Sequence, residues 1–411
     1  MQNKKYIKII SGILIILTIF SFSVVFSAYE SVYVWSNQSE PITKQTSAKP
    51  NINEQTKTTT GTEKSDDLKL ESGGAVLIEQ HSGQVLYDHN MHEKLRPASV
   101  TKVMSILLIM EAIDRGQISF NDKVPCTEDA AAMGGSQIWL DVREELTVDE
   151  MLKAICVVSA NDCTVAMANY LCGSQEAFVE KMNARAKELG MKNTIFRNSH
   201  GLDEETKNYS SAKDMAILSS YANTLPVYKE ISKTKKWTVQ SDKKSYVWNN
   251  RNKLLYSYKY ATGGKTGYTP KAGRTLVTTA SKDNLNLTIV TLNDANEYQT
   301  HESLYEYCFN KYKNFLIVDK DNFDIDDNFY KGNLYIKKSF SYPLTKEEES
   351  LVNIVIKLDK LDNYKNNDQV GSVIVNLKDK KIFETEVYVK KDKNKKENLL
   401  KRIIKFLKKT I

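Results

Sequence analysis

A serine and a lysine lie three residues apart at the start of a strongly apolar run. Ser99 and Lys102 open the segment "SVTKVMSILLIMEAID", which Pro97 precedes and Gly116 follows. The apolar spacing and these end signals predict a mostly buried helix over Pro97–Arg115. Side chains at i and i+3 share a helix face, and an unpaired ammonium in apolar surroundings is costly. Lys102 therefore either reaches out to solvent or is retained for its chemistry.

The chemistry that this pair predicts is nucleophilic attack by a hydroxyl. A serine is a poor nucleophile until a base takes its proton, and a lysine can be that base only when it is neutral. At its ordinary pKa of ~10.4, about one lysine in 2,500 is neutral at pH 7. Burial and a second cation can lower that pKa, and a drop of ~3 units removes most of the handicap. We therefore expect Ser99 to be the nucleophile and Lys102 the base, with the N–H groups of the helix N-terminus available to an oxyanion.

Two further short motifs follow along the chain. The triplet "SAN" at Ser159–Asn161 lies between two helical stretches, and "GGKTG" at Gly263–Gly267 precedes a predicted strand. Each motif alone is weak: S-x-x-K recurs at Ser210, Ser232 and Ser241, and the S-A-N triplet would also suit a helix cap. Only the first S-x-x-K copy, at Ser99, opens a strongly apolar helix. The three motifs together, in this order and each in its expected context, are a stronger indication of function than any one of them.

S-x-x-K, S-D-N and K-T-G in this order are typical of class A β-lactamases and penicillin-binding proteins, and this chain has S-A-N as its middle motif. The sequence resembles the low-molecular-mass penicillin-binding proteins, the serine-type D-alanyl-D-alanine carboxypeptidases, through these motifs and through "GGSQIWL", "VSANDCTVAMA", "NTIFRNSHGLD" and "GGKTGYTPKAGRTLV". The resemblance spans roughly Ser72–Tyr312. It implies an α+β fold, the β-lactamase/penicillin-binding-protein-like transpeptidase fold, in which helices flank an antiparallel sheet and a small all-β domain follows.

The resemblance also implies the catalytic roles. Ser99 would attack the carbonyl between the two terminal D-alanines of a peptidoglycan stem peptide, and Lys102 would accept its proton. Ser159 would relay a proton to the leaving nitrogen. The N–H groups of Ser99 and Tyr268 would form the oxyanion hole, and Gly267 would let the strand backbone approach the substrate. Water would then hydrolyse the acyl-enzyme, with no metal and no other cofactor.

Substrate binding is implied at a second set of positions. Asn161 would hydrogen-bond the substrate backbone and help to orient Lys102. Lys265 would supply positive charge near Lys102 and the terminal carboxylate, and Thr266 would hydrogen-bond that carboxylate. Arg251, in "NRNKLL", is an additional carboxylate anchor in this interpretation. β-Lactam antibiotics are expected as inhibitors.

Three other functions are known alternatives for a chain with these motifs or this fold. A class A β-lactamase needs a glutamate in an E-x-x-L-N loop, and no such sequence occurs between Asn161 and Lys265. A non-catalytic wall-binding protein would have no need of the intact serine–lysine motifs. A D,D-endopeptidase that cuts cross-links stays open at this point.

The rest of the chain indicates where this chemistry takes place. Three lysines precede an apolar run from Ile9 to Phe26, which predicts export and localisation at the outer face of the cytoplasmic membrane or in the cell wall. The predicted segments are a signal peptide or uncleaved anchor, a disordered linker, the serine D,D-peptidase domain, a β-rich domain and an amphipathic membrane-surface helix, at 1–28, 29–70, 71–312, 313–390 and 391–411.

The basic charge of the chain is concentrated in its last residues. Of the formal net charge of +7, residues 390–411 contribute +8, which leaves −1 for the remainder. Nucleic acid is therefore not an expected partner of the folded body. In "ENLLKRIIKFLKKTI" the apolar residues share one helical arc of roughly 160° and the lysines lie opposite, which favours binding to an anionic membrane surface. The alternative is a helix that packs on its own β domain.

The predicted elements alternate in a simple order. "AVLIEQ" and "VLYDHN" predict a hairpin, the middle of the chain shows helical spacing, and "GRTLVTTA" and "LNLTIVTL" predict two strands. Short alternating runs after Leu316 predict a second, antiparallel β domain. The five cysteines contain no C-x-x-C and no zinc spacing with histidines, so we expect buried thiols rather than a disulfide framework or a metal site.

Overall fold

A computed structural model describes residues 31–35, 70–203, 207–241 and 243–390 of the chain. The predicted export signal, most of the predicted linker and the C-terminal amphipathic segment lie outside these residues. The chain divides into two compact units. The larger unit comprises Asn53–Phe315 with Ser341–Lys346, and the smaller unit comprises the remaining residues. No helix in the described ranges is both long enough and apolar enough to cross a membrane.

The described strands and helices alternate through most of the chain. The strands are β1 (Ser31–Trp35), β2 (Gly74–Glu79), β3 (Val85–His89), β4 (Lys123–Pro125), β5 (Glu145–Thr147), β6 (Lys236–Gln240), β7 (Ser245–Asn249), β8 (Ala261–Thr269), β9 (Gly273–Lys282), β10 (Leu285–Leu292), β11 (Lys313–Val318), β12 (Leu334–Ile336), β13 (Phe340–Leu344), β14 (Val352–Leu358), β15 (Gln369–Leu377) and β16 (Lys380–Val389). The α-helices are α1 (Lys102–Asp114), α2 (Glu128–Ala131), α3 (Val148–Val157), α4 (Asn161–Cys172), α5 (Gln175–Glu188), α6 (Ala212–Ala222), α7 (Pro226–Ser232), α8 (Leu254–Ser257) and α9 (Glu297–Lys311).

The larger unit is built on a five-stranded antiparallel sheet. Its strand order is β3-β2-β10-β9-β8, so β8 is an edge strand. Successive residues of β10 show why both faces are covered: Val290 packs in the core that contains α1 and α6, whereas Ile289 packs in the core that contains α9. Alternate side chains of a strand point to opposite faces, and an apolar strand is stable here because helices bury both faces. The predicted α+β architecture, with helices flanking the sheet, is confirmed.

Helix α1 lies at the centre of this unit. A 3-10 turn, Ala98–Thr101, leads into it, and ten of its residues are buried, so the helix is enclosed on nearly all sides. Its apolar composition on every face is what a fully enclosed helix requires. Helix α3 begins at a capping box in which the Thr147 hydroxyl accepts from the Glu150 N–H and the Glu150 carboxylate accepts from the Thr147 N–H. That box fixes the start of the helix that leads to the S-A-N motif.

The smaller unit contains a second antiparallel sheet with the order β1-β14-β15-β16-β12. Its core includes valines that alternate along the strands, Val373 and Val375 on β15 and Val387 and Val389 on β16. The alternating runs after Leu316 therefore form the predicted β strands. No group of histidine, cysteine and acidic residues in the described ranges is arranged to hold a metal ion.

Three local features differ from the sequence predictions. Strand β1 lies within the segment predicted as a linker without regular structure, and it pairs with β14. The run "SVYVW" alternates β-branched and aromatic residues, which favours a strand once a partner edge is present. The G-G-K-T-G motif lies inside β8 rather than before a strand. The hairpin of β6 and β7 was not predicted at all, although Trp237/Val239 and Tyr246/Trp248 alternate with polar residues.

The five cysteines are all free thiols in the structure. Cys126, Cys156, Cys163 and Cys308 are buried, and Cys172 is partly buried. Burial raises the pKa of the Cys156 thiol to about 11, which keeps it protonated and unreactive at neutral pH.

Candidate active site

Ser99 and Lys102 meet at the junction of the 3-10 turn and helix α1. The Lys102 Nζ atom lies 2.9 Å from Ser99 Oγ, and it also donates to the carbonyl oxygen of His200 at 2.6 Å. The Lys102 side chain is fully buried. The carbonyl of His200 holds one N–H of the amine, and an uncharged amine in this position can accept the serine proton with its lone pair.

The surroundings of Lys102 disfavour its charged form. Burial is the main cause that lowers its pKa well below the ordinary value, and the positive charges of Lys265 and Arg251 lower it further. The carboxylate of Asp162 acts in the opposite direction, more weakly. Burial and a second cation are the two effects that can make a lysine neutral near pH 7.

A second serine–lysine pair joins the S-A-N motif to β8. Lys265 Nζ donates to Ser159 Oγ at 2.9 Å and to the carbonyl oxygen of Thr266 at 2.8 Å. Lys265 is 2% exposed, and burial lowers its pKa to about 7, with a further lowering by the charge of Arg251. Lys265 therefore stays partly protonated at neutral pH.

Left-handed backbone conformations occur next to the first serine and at the second. Ala98, which precedes Ser99, has φ of 48°, and Ser159 has φ of 65°. Residues other than glycine reach this region at a cost of roughly 1–2 kcal/mol, and such strain often occurs at functional sites. Gly201, at φ of 93°, makes the Ala98 conformation possible, because a Cβ atom there would lie 1.9 Å from the Ala98 carbonyl oxygen.

Strand β8 approaches the backbone of Ser99 through a glycine. A Cβ atom on Gly267 would lie 2.4 Å from Thr275 Oγ1 and 2.9 Å from the Ser99 backbone nitrogen. Thr275 on β9 in turn donates to the carbonyl oxygen of Pro97 at 3.0 Å, which ties the sheet to the turn before Ser99. Tyr268 follows Gly267 on the same edge strand, and its side chain is 62% exposed. Thr266 is half-buried.

Asn161 is held by a loop that crosses the start of helix α4. Its amide Nδ2 donates to the Gly134 carbonyl at 2.7 Å, and its backbone N–H donates to the Ser136 carbonyl at 2.7 Å. Its Oδ1 atom is buried and has no hydrogen-bond partner. The predicted orientation of Lys102 by Asn161 does not occur through a direct hydrogen bond in the described structure, where the partners of Lys102 are Ser99 Oγ and the His200 carbonyl.

Arg251 lies at the exposed side of the same group of residues. Its Nη1 atom donates to Ser136 Oγ at 2.6 Å, and its charge lowers the pKa of both Lys102 and Lys265. The structure therefore brings the nine predicted positions together on one end of the sheet: Ser99, Lys102, Ser159, Asn161, Arg251, Lys265, Thr266, Gly267 and Tyr268.

Two residues of the site were not predicted from the sequence. The main-chain carbonyl of His200 binds Lys102, and a backbone carbonyl leaves no signal in residue identity. Asp162 is buried, and its carboxylate accepts from the N–H groups of Ile138 and Leu140 at 3.0 and 3.2 Å. It thereby fixes the loop that holds Asn161. A signal for Asp162 existed, since an acid directly after the S-A-N motif lies in the first turn of a helix.

The sequence of this chain matches two family models and a bacterial relative. The sequence model of peptidase family S11, described as D-alanyl-D-alanine carboxypeptidase, matches residues 58–296. A second model, described as the C-terminal domain of penicillin-binding protein 5, matches residues 317–395. The D-alanyl-D-alanine carboxypeptidase DacF of Bacillus subtilis is 37% identical over 363 residues, which cover 85% of this chain and 91% of that protein.

Solved structures give the same result for the fold. Penicillin-binding protein 5 of Haemophilus influenzae superposes with a TM-score of 0.68 at 28% identity, over 79% of this chain and 98% of that chain. Penicillin-binding protein D2 of Listeria monocytogenes, in its ampicillin-bound form, superposes with a TM-score of 0.53 at 28% identity, over 58% of this chain and 98% of that chain.

Proposed function

The chain belongs to the D-alanyl-D-alanine carboxypeptidase family, peptidase family S11, and from that premise we propose how its own residues carry out the reaction. It is a serine-type D-alanyl-D-alanine carboxypeptidase of the penicillin-binding protein fold. Ser99 is the nucleophile, and the neutral amine of Lys102 takes its proton as the hydroxyl attacks the carbonyl between the last two D-alanines. The observation that carries this assignment is the buried Lys102 amine 2.9 Å from Ser99 Oγ.

The negative charge that develops on the attacked carbonyl oxygen needs donors. The N–H groups of Ser99 and Tyr268 are proposed to supply them, because Gly267 brings the edge strand against the Ser99 backbone. Such preorganised donors contribute most where water is excluded. The unpartnered Oδ1 of Asn161 is an acceptor for a substrate amide N–H, which would satisfy a buried polar atom that otherwise has no partner.

The second pair completes the reaction. The Lys265 cation and the Thr266 hydroxyl are proposed to bind the terminal carboxylate of the substrate, and Arg251 adds positive charge at the exposed side. As the C–N bond breaks, the proton that Lys102 took from Ser99 is proposed to pass through the Ser159 hydroxyl, which is hydrogen-bonded to Lys265, to the nitrogen of the leaving D-alanine, and Lys102 becomes neutral again. Water then attacks the Ser99 ester, Lys102 again acts as the base, and the shortened peptide is released.

The test uses the purified chain without its first 28 residues. Fluorescent penicillin and a peptide that ends in D-Ala-D-Ala are the two probes. We expect a stable fluorescent adduct and release of D-alanine, and loss of both in Ser99→Ala. The matched variant Ser105→Ala, six residues after Ser99, keeps both because its hydroxyl donates to the Ser199 carbonyl rather than to Lys102. Rapid turnover of penicillin would instead favour a β-lactamase, and cleavage of cross-linked dimers without D-alanine release would favour an endopeptidase.

Family members are cell-wall-associated, and we propose that this chain is exported and held at the outer face of the cytoplasmic membrane. The support lies in the sequence: an apolar N-terminal run after lysines, and a C-terminal segment with an apolar arc and a lysine-rich face. We expect deletion of Asn398–Ile411 to reduce binding to vesicles that contain anionic lipid, with little binding to zwitterionic vesicles in either form. Equal binding of the two forms to anionic vesicles would reject the anchor.

A further inference from the structure

A cavity lies beyond the end of β8, and none of the nine predicted site residues lines it. It has a volume of about 430 Å³. The residues that line it come from the segment before Ser99, the turn between β8 and β9, and two neighbouring loops: Lys94, Leu95, Arg96, Tyr209, Lys271, Ala272 and Asn293. All of them belong to the larger unit.

The described residues that line this cavity carry positive charge. Lys94, Arg96 and Lys271 contribute three cations, and none of the lining residues in the described ranges is acidic. Lys94 and Lys271 form no ion pair with any residue that the structure describes. Arg96 forms a long ion pair with the buried carboxylate of Asp203, 3.9 Å from its Nη1 atom, and that atom makes no hydrogen bond with the described residues. That carboxylate accepts from the hydroxyl of Thr269. A concave wall of one charge concentrates ions of the opposite charge.

The position of the cavity follows from the direction of β8. Lys265 and Thr266 come first along the strand, Gly267 lies against the Ser99 backbone, and Thr269 ends the strand before Lys271. Thr269 also accepts from the Ala272 N–H at 3.0 Å, which closes the turn that carries Lys271. At ~3.3 Å per strand residue, Thr269 lies about 7 Å and Lys271 up to about 13 Å beyond Gly267.

An extended peptide substrate paired with β8 would cover the same distance, from Lys265 toward Lys271. Edge strands leave main-chain donors and acceptors that a peptide can pair with. A peptide whose terminal carboxylate lies at Lys265 and whose scissile carbonyl lies at Ser99 must continue toward Thr269. Its residues two to four positions before the scissile bond then reach the cationic cavity.

We propose that Lys94, Arg96 and Lys271 form a subsite for a free carboxylate in the acyl part of the substrate, upstream of the terminal D-Ala-D-Ala. The inference rests on the proposed function, because it takes its direction from the placement of the scissile bond at Ser99. The subsite gives specificity rather than chemistry: it selects stem peptides in which an upstream carboxylate is free over those in which it is converted to a carboxamide.

Two synthetic peptides test the subsite. Both end in D-Ala-D-Ala, and they differ only in whether an upstream γ-linked D-glutamyl residue carries a free α-carboxylate or the carboxamide. We expect wild-type protein to hydrolyse the carboxylate peptide with a kcat/KM about tenfold higher, as two to three partly exposed ion pairs would give. In Lys94→Gln/Lys271→Gln the ratio falls toward one, while kcat/KM for the carboxamide peptide and the rate of penicillin acylation stay unchanged.

The control removes the same charge elsewhere in the larger unit. Lys123→Gln/Lys192→Gln replaces two exposed lysines that do not line the cavity, and it should keep the wild-type ratio. The preference should also weaken with rising salt in wild-type protein. A ratio of one in the wild type, or a ratio that the cavity double variant leaves intact, overturns the subsite. Failure of the proposed function would look different, because neither peptide would then release D-alanine.

Discussion

The two serine–lysine pairs of the larger unit have the same hydrogen-bond length but are built in different ways. Ser99 and Lys102 are three residues apart on one turn, whereas Ser159 and Lys265 are 106 residues apart and join a helix–helix corner to an edge strand. In both pairs the amine lies 2.9 Å from the hydroxyl, and each lysine has a main-chain carbonyl as its second partner.

The difference lies in the charged groups that surround each lysine. Lys102 is fully enclosed in the central helix and faces two other cations, so its pKa falls well below the ordinary value. Burial lowers the pKa of Lys265 to about 7, and Arg251 is the cation that lowers it further. One pair is thus suited to remove a proton and the other to hold a carboxylate while it still carries charge. The expected effects of substitution follow from this division.

Lys102→Met breaks the first pair most completely. Without a base, kcat/KM for a D-Ala-D-Ala peptide should fall by about 10³–10⁴-fold, and penicillin acylation should fall with it. The free energy of unfolding at pH 7 should change by about 1 kcal/mol or less, because two lost hydrogen bonds are offset by removal of a buried amine. Activity assays and urea unfolding measure the two effects.

A control for this prediction comes from pH. In wild-type protein the lowered pKa of Lys102 means that the unfolded state binds more protons, so stability rises with pH toward the unfolded pKa of ~10.4. Lys102→Met should lose that part of the rise. A variant that kept wild-type acylation would remove Lys102 from the role of base.

The first pair was accessible to sequence reasoning because it is local. The i, i+3 spacing predicts the contact between Ser99 and Lys102. The apolar run around Lys102 predicts its burial and therefore a lowered pKa. The partnership of Ser159 with Lys265 depends on how the sheet edge packs against the corner between α3 and α4, so motif order indicated a shared site but not this bond. The contact between Lys102 and the His200 carbonyl could not be predicted for a further reason, since any residue type supplies a main-chain carbonyl.

The same distinction holds for the fold. Helices α1 and α3 to α5 and the strands β2, β3, β9 and β10 were predicted because their apolar periods are long and regular. Strand β1 was missed because a short strand depends on a partner edge, here β14, that lies more than three hundred residues away along the chain. Its own alternation was a signal too short to separate from the polar sequence that follows it.

Gly267→Ala tests the contact that connects the two pairs through β8. The new Cβ atom would lie 2.9 Å from the Ser99 nitrogen and 2.4 Å from Thr275 Oγ1, so the strand or the Ser99 turn must move. A shift of about 1 Å at a reacting group can cost about 10²-fold in rate, and we expect a loss of that order in kcat/KM. D-alanine release measures it.

The matched variant is Gly190→Ala. Gly190 has φ of 76° with open space around it, so the substitution should cost about 1 kcal/mol of stability and leave kcat/KM unchanged. If both variants lost activity in proportion to stability, the close approach of β8 to Ser99 would not matter for the reaction.

The pH profile sharpens the contrast between the lysines. Lys265 is protonated below its pKa of about 7 and becomes neutral above it, so kcat/KM should decline on the alkaline side with an apparent pKa near 7. A bound carboxylate favours the cation, so the limb in kcat should lie at higher pH than the limb in kcat/KM. Lys265→Arg, which keeps its charge, should remove the limb. The same limb in that variant would assign it to another group.

Arg251→Gln should give the smallest change and should move both lysines together. The guanidinium lowers the pKa of Lys102 and of Lys265, so its removal should raise both values. The alkaline limb of kcat/KM then shifts to higher pH by a few tenths of a unit, while KM rises about fivefold because one carboxylate anchor is lost. High salt should reduce the pH shift, since Arg251 is exposed. A rise in KM without any movement of the limb would show that Arg251 binds substrate but does not tune either pair.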